Sequence, residues 1–97
     1  MRWVAIFEDT PEMLEVRARN EPAHLEFLRQ HEEEILIAGG LRDVPGGPFV
    51  GGLWVLEVSS QERARQLVEL DPYFKLGARS YKIRAWGKAL AGKEVVL

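Results

Sequence analysis

Arg2-Trp3-Val4-Ala5-Ile6-Phe7 alternates, yet neither side of the alternation is polar: Trp3, Ala5 and Phe7 share one face, Val4 and Ile6 the other. A strand that is apolar on both faces belongs in the middle of a sheet covered on both sides. The rest of the chain is organised around that placement. Phe49 to Val58 is a second strand of the same kind, with Leu53 and Val55 set against Trp54, Leu56 and Val58. Two more strands follow from the pattern. Ile35 to Ala38 is closed by Gly39-Gly40, and Arg79 to Trp86 alternates Tyr81, Ile83 and Ala85 against Lys82, Arg84 and Trp86.

The segments between strands read as helices. Thr10-Pro11 supplies an N-cap and a proline at the first helical position of a helix running to about Arg19. Pro22 has no N–H to donate, so a kink or restart is expected near Asn20-Glu21, with Asn20 as a new cap. The second piece runs to about Glu33 with an inner stripe of His24, Leu25, Phe27, Leu28 and His31. Ser59-Ser60-Gln61-Glu62 fits a capping box opening another helix that ends at Leu70. Residues 41–48, around Pro45-Gly46-Gly47-Pro48, are loop, and Tyr73-Phe74-Lys75-Leu76 makes one more helical turn ended by Gly77. Glu94-Val95-Val96-Leu97 is read as an edge strand.

The order strand, helix, strand, strand, helix, strand is two βαβ halves. It predicts a single α+β domain of ferredoxin-like βαββαβ topology: a four-stranded antiparallel sheet with two helices on one face. The opposite face, expected to carry a large part of the Trp, Ile and Val side chains, is then open in a single copy. An apolar patch of that size marks an interface, and a homodimer packed sheet against sheet is the expectation.

Composition narrows the function classes. Of 97 residues, 46% are hydrophobic and 29% charged, which excludes a disordered chain. A formal charge of -2 with scattered Lys and Arg argues against a nucleic-acid partner. The absence of cysteine removes disulfides, thiolate nucleophiles and Cys-ligated metals. No apolar run approaches the roughly 20 residues of a membrane span, and the N-terminus is too soon acidic for a signal peptide, so a cytoplasmic protein is expected. The paired glycines lack both the GxGxxG pattern and a P-loop lysine, which argues against nucleotide binding. His24 and His31 share a helix face but stand about 10 Å apart along its axis, too far for one metal ion. Neither cofactor nor metal is therefore expected. Glu32-Glu33-Glu34 reads as a solvated helix end, the tryptophans and Tyr81 as core or interface, and Ser59, Ser60 and Ser80 as caps or strand ends.

Two polar residues stand where folding gives little reason for them. Ala64, Leu67 and Val68 form an i, i+3, i+4 stripe whose next member, at i+7, is Asp71. An ionised carboxylate there needs a partner, and the C-terminal helix dipole disfavours it further. Pro72 fixes the helix end. His24 lies on the buried stripe two residues after Pro22, which puts it in the first turn of the restarted helix, where partial positive charge disfavours imidazolium. The two helices lie side by side, so contact is possible but not required. A carboxylate accepting the ring N–H would orient the imidazole for acid–base work. The alternatives are a core histidine satisfied by some other hydrogen bond, and an aspartate that caps a turn or pairs with Arg17 or Arg79.

Arg17 followed by Pro22-Ala23-His24-Leu25, then Ala38-Gly39-Gly40, Phe49-Val50-Gly51-Gly52 and Asp71-Pro72-Tyr73, resembles the YciI-like (YCII-related) proteins over nearly the whole chain. The resemblance implies the dimeric α+β barrel fold, similar to muconolactone isomerase, and a histidine–aspartate pair in a pocket between helices and sheet, matched by His24 and Asp71. Two departures stand out: Glu21 replaces an arginine that many relatives carry, and Gly52 replaces a frequent serine. One branch of the family resembles chlorinated-hydroquinone dehydrochlorinases, which implies lyase or isomerase chemistry.

The leading expectation is a small enzyme using His24 as general base, or as nucleophile, oriented by Asp71. It would act by elimination, isomerisation or hydrolysis on a small aromatic or lactone-like substrate. Arg17, Gly39, Gly52 and Tyr73 are the expected substrate-binding positions, with Arg17 steering an anionic group because it shares the face of His24 if the helix continues. A non-catalytic dimeric scaffold or ligand-binding module is the alternative. A cofactor-free oxygenase, whose fold the resemblance also covers, is a third reading.

Overall fold

The first strand does lie at the centre. The computed structural model describes residues 1–96. Its elements are β1 (Arg2–Asp9), α1 (Met13–Gln30), β2 (Ile35–Arg42), β3 (Phe49–Glu57), α2 (Gln61–Leu70) and β4 (Arg79–Ala85). They form one antiparallel sheet in the order β2-β3-β1-β4. The register sets Ala5 opposite Trp54 on one side and Ile83 on the other, and Phe7 opposite Gly52 and Tyr81. This is the ferredoxin-like βαββαβ sheet of the dimeric α+β barrel fold.

Both helices cover the same face. Phe27 of α1 and Ala64, Leu67 and Val68 of α2 join Ala5, Phe7, Trp54, Leu56 and Ile83 in one buried cluster. Trp3 packs against it. Trp3 and Trp54 therefore belong to the covered face, not to the open one where aromatic surface was expected. The open face is aliphatic, with Ile6, Ile37, Leu41 and Leu53 among its exposed residues. Along β4 it turns polar through Lys82 and Arg84, which oppose Ile6 and Val4.

Several local expectations are corrected. α1 is one helix of 18 residues with Pro22 inside it and no restart. The N–H that Pro22 lacks would have bonded to the Ala18 carbonyl; both residues are exposed, so the unpaired carbonyl is not shut away from solvent and the helix tolerates the loss. Asn20 does not cap; its Nδ2 donates to the Val16 carbonyl at 2.9 Å. Thr10 is not the N-cap either, because its hydroxyl and its N–H both donate to the Ala78 carbonyl, at 3.0 and 2.8 Å. The cap of α2 is Ser60, accepting from the Arg63 N–H at 3.1 Å, one residue later than the capping box implied. β2 continues through Gly39-Gly40 to Arg42, because those glycines pair with Leu53 and Gly52. Residues 73–76 form turns and coil without a helix, and Glu94–Val96 form no strand, while Leu97 lies outside the described residues.

Candidate active site

The continuity of α1 decides the geometry. Arg17 and His24 are two turns apart on one unbroken helix and so point to the same side. His24 is consequently a mid-helix residue, and the expectation that a helix N-terminus acts on it falls away. Its environment comes from the other half of the fold. α2 stops at Asp71, whose backbone is extended (φ -64, ψ 131), and the chain turns through Pro72 beneath α1.

There the two polar residues meet. His24 Nδ1 lies 2.6 Å from Asp71 Oδ1, and the side chains are 12% and 2% exposed. The same carboxylate oxygen accepts the Tyr73 backbone N–H at 3.1 Å. A carboxylate only accepts, so Nδ1 carries a proton, and in the neutral form of the imidazole it is Nε2 that has the lone pair. The imidazole is also held face to face on the Tyr73 ring, with centroids 3.7 Å apart and planes 8° from parallel. Rotation about either side-chain bond would break the stack or the hydrogen bond. Burial, foremost, and the charge of Glu21 push the Tyr73 hydroxyl above its ordinary value, so it remains a neutral phenol. The aspartate is not paired with Arg17 or Arg79.

Those two arginines meet a different acid. Arg17 Nη2 donates to Asp9 Oδ2 at 2.9 Å and to the Gly51 carbonyl at 2.8 Å. Arg79 donates to Asp9 through Nε at 2.7 Å and Nη2 at 3.2 Å. Burial pushes the Asp9 carboxyl upward, but the hydrogen bonds and charges of Arg79 and then Arg17 outweigh it and hold the group below its usual range. Both guanidiniums lie near Tyr73, with Cζ 5.5 Å (Arg17) and 5.9 Å (Arg79) from its ring centroid. Asp9 and Arg79 did not figure among the expected site residues. The signal was available, since the alternation Trp3, Ala5, Phe7 continues to Asp9 on the covered face.

Of the other expected positions, Tyr73 is at the site and Gly52 borders it. A Cβ at Gly52 would stand 3.4 Å from the Phe7 ring and 3.6 Å from Arg79 Nη2. Gly39 is not brought in. It pairs with Leu53 on the open face, and a Cβ there meets nothing within 4 Å. Gly40 is the glycine that matters on β2. A Cβ on it would overlap the Phe49 ring and lie 3.3 Å from Arg17 Nη1. Phe49 in turn lies between two guanidiniums, 4.3 Å from Arg17 Cζ and 4.0 Å from Arg42 Cζ. A cavity of about 610 Å³ beside Trp86 and the C-terminal segment contains none of these residues. Among the described residues no group of three or more His, Cys, Asp or Glu is placed to hold a metal ion, and no helix is long and apolar enough to cross a membrane.

Comparison with known proteins points to one family. The model of the YCII-related domain matches residues 1–87. A protein of Emericella nidulans described as derivative of benzaldehyde biosynthesis cluster protein C is 32% identical over 95 aligned residues, which take in 84% of this chain and 91% of that one. Among solved structures, the 5-chloro-2-hydroxyhydroquinone dehydrochlorinase TftG of Burkholderia phenoliruptrix, in complex with 2,5-dihydroxybenzoquinone, superposes with a TM-score of 0.77 at 26% identity. The match covers 90% of this chain and 94% of that one.

Proposed function

The chain belongs to the YCII-related family, and on that footing we propose that it is a small, cofactor-independent cytoplasmic enzyme with His24 as general base and Asp71 as the carboxylate that orients it. The observation that carries this reading is the 2.6 Å contact between two nearly buried side chains, one of which retains a free ring nitrogen. Asp71 occupies Nδ1 and the Tyr73 ring stacks on the imidazole, while Nε2 has no hydrogen-bond partner among the described residues and is the nitrogen proposed to meet the substrate. In the reaction Nε2 takes a proton from the substrate, the leaving group departs with its electron pair or the double bond shifts, and Asp71 stabilises the imidazolium that forms. Arg17, Tyr73 and Gly52 are the positions proposed to contact a small aromatic or lactone-like substrate.

The relatives support the substrate class, one being a dehydrochlorinase of a chlorinated hydroxyhydroquinone and another belonging to a benzaldehyde-related cluster. Elimination or isomerisation by proton abstraction is therefore the reaction class, ahead of hydrolysis. The aliphatic open face of the sheet supports a homodimer packed sheet against sheet, which sedimentation would register as twice the 11.0 kDa chain mass.

The test is chloride release from 5-chloro-2-hydroxyhydroquinone, together with isomerisation of a panel of small unsaturated lactones. His24→Ala is expected to abolish whichever turnover is found, and Asp71→Asn to lower it by about 10²- to 10⁴-fold. A His24→Ala protein that retains the wild-type rate would overturn the assignment. If the module is instead a non-catalytic scaffold, Asp71→Asn lowers stability and no turnover exists to lose.

A further inference from the structure

Three polar side chains of α1 share one side of the helix at i, i+4 and i+7: Arg17, Glu21 and His24. Two of them are engaged by the rest of the fold. Arg17 is turned inward onto Asp9 and the Gly51 carbonyl, and His24 is bonded to Asp71. Glu21 is exposed, and the cation one turn before it is the arginine that Asp9 has taken. Elsewhere on the same helix an i, i+4 pair does close, Arg19 on Glu15 at 2.7 Å. A glutamate in water needs no partner, so exposure alone says nothing. Its position over Tyr73 does. The Tyr73 ring stacks on the imidazole at 3.7 Å and lies 5.5 Å from Arg17 Cζ, so it runs beneath the stretch of α1 that carries Glu21. After burial, the charge of Glu21 is the strongest influence holding the Tyr73 hydroxyl protonated. Tyr73 is only 4% exposed, yet its hydroxyl is not shut away: the buried side-chain polar atoms without a partner are Trp3 Nε1 and Arg17 Nε. A carboxylate and a phenol, neither engaged within the fold among the described residues, therefore stand together beside the imidazole.

We propose that Glu21 and the Tyr73 hydroxyl select the substrate at the mouth of the site: they hydrogen-bond an O–H of an uncharged aromatic ring and turn away a ring that carries a carboxylate. This rests on the reading of His24 and Asp71 as the acid–base pair, whose imidazole the Tyr73 ring holds in place. An ionised carboxylate only accepts, so Glu21 favours a ligand that brings an O–H to it. A bond to a charged acceptor is stronger than one between neutral groups, which makes Glu21 the larger contributor. The phenol both donates and accepts, and it stays neutral at physiological pH, so it completes the contact with the oxygen of the same ligand hydroxyl. A ligand carboxylate finds no donor in Glu21 and meets its charge as repulsion. Attraction for the hydroxyl and repulsion of the anion then act from one side chain, and the difference between the two ligands is larger than either effect alone. Glu21 moves no proton in this scheme; it decides which ring reaches His24.

The experiment titrates the full chain at neutral pH with resorcinol, its dimethyl ether and 3-hydroxybenzoate, reading dissociation constants from the His24 and Tyr73 ring resonances. Resorcinol offers two hydroxyls, the ether has no donor, and the benzoate exchanges one hydroxyl for a carboxylate. The wild-type protein is expected to bind resorcinol about tenfold more tightly than either of the others. Glu21→Gln keeps the size of the side chain and removes its charge. In that variant 3-hydroxybenzoate should bind about three- to tenfold more tightly and resorcinol about threefold more weakly, which closes the gap. Tyr73→Phe keeps the stacked ring and should weaken resorcinol about threefold while leaving the dimethyl ether unchanged. Glu21 is exposed, so its variant tests selection without disturbing the core. A ratio of resorcinol to 3-hydroxybenzoate affinity that is the same in Glu21→Gln as in wild type overturns the proposal. So does wild-type binding of the benzoate or the ether as tight as that of resorcinol, or no saturable binding of resorcinol at millimolar concentration. These are equilibrium ratios read without turnover, so they fail independently of the general base, which stands or falls on the rate of His24→Ala.

Discussion

Asp71 and Asp9 are both buried carboxylates on the helix side of one small sheet, and they keep opposite company. Asp71 accepts from an imidazole and a single backbone N–H. Asp9 accepts from two guanidiniums through three hydrogen bonds. An arginine does not give up its proton in a protein, so the charges around Asp9 are fixed and its two partners move no proton. An imidazole, unlike a guanidinium, can take up and give back a proton, so the charge beside Asp71 can change. Burial of an acid is thus a poor marker of the reacting centre. What distinguishes the two regions is whether the partner can change its protonation state.

That contrast predicts unequal costs for deleting the two acids. Asp9→Ala leaves two buried guanidiniums with no countercharge, which destabilises by about 3–5 kcal/mol. Asp71→Ala leaves an imidazole N–H and one backbone N–H unpaired, a loss of about 1–3 kcal/mol. Urea unfolding of the two variants measures the difference. Equal losses would show that His24 is held as a permanent cation, and the distinction between fixed and variable charge would collapse.

Acid titration sharpens the same point. The folded-state value of Asp9 lies below its ordinary one, so its contribution is complete above the usual carboxylate range of about pH 4 and is lost as pH falls through the lower folded value. The stability gap between wild type and Asp9→Asn should therefore be constant from pH 7 to about 5 and close progressively below about 4. A gap that persists unchanged to the acid end of the unfolding series means that Asp9 is not the ionised partner of the arginines.

The two regions were not equally legible in the sequence. His24 and Asp71 each interrupt an apolar stripe, and such an interruption is visible without coordinates. Asp9 is harder to see because the apolar residues stop at Phe7, although the alternation itself runs on and brings Asp9 opposite Arg79. On β2 the two glycines are alike in sequence but not in placement. In a strand, neighbours face opposite ways, so Gly40 lies on the covered face and Gly39, the expected position, on the open one. The missing N–H of Pro22 does not by itself decide the course of α1. Whether that loss breaks a helix depends on whether the orphaned carbonyl faces water, which the tertiary packing decides.

The smallest effects test whether the two regions are separate units. Gly40→Ala puts a methyl group where the Phe49 ring lies and presses on the Arg17 side of the Asp9 cluster. Phe49 must shift, at a cost of about 1–3 kcal/mol. Gly39→Ala meets nothing within 4 Å and should change stability by no more than about 0.5 kcal/mol. In Gly40→Ala the Arg17 Nε–Hε resonance should move while the His24 ring resonances stay in place, because the imidazole is fixed by Asp71 and Tyr73. If the His24 signals move as far as those of Arg17, the Tyr73 ring transmits the displacement. The proton-moving pair and the fixed-charge cluster would then have to be treated as one coupled site.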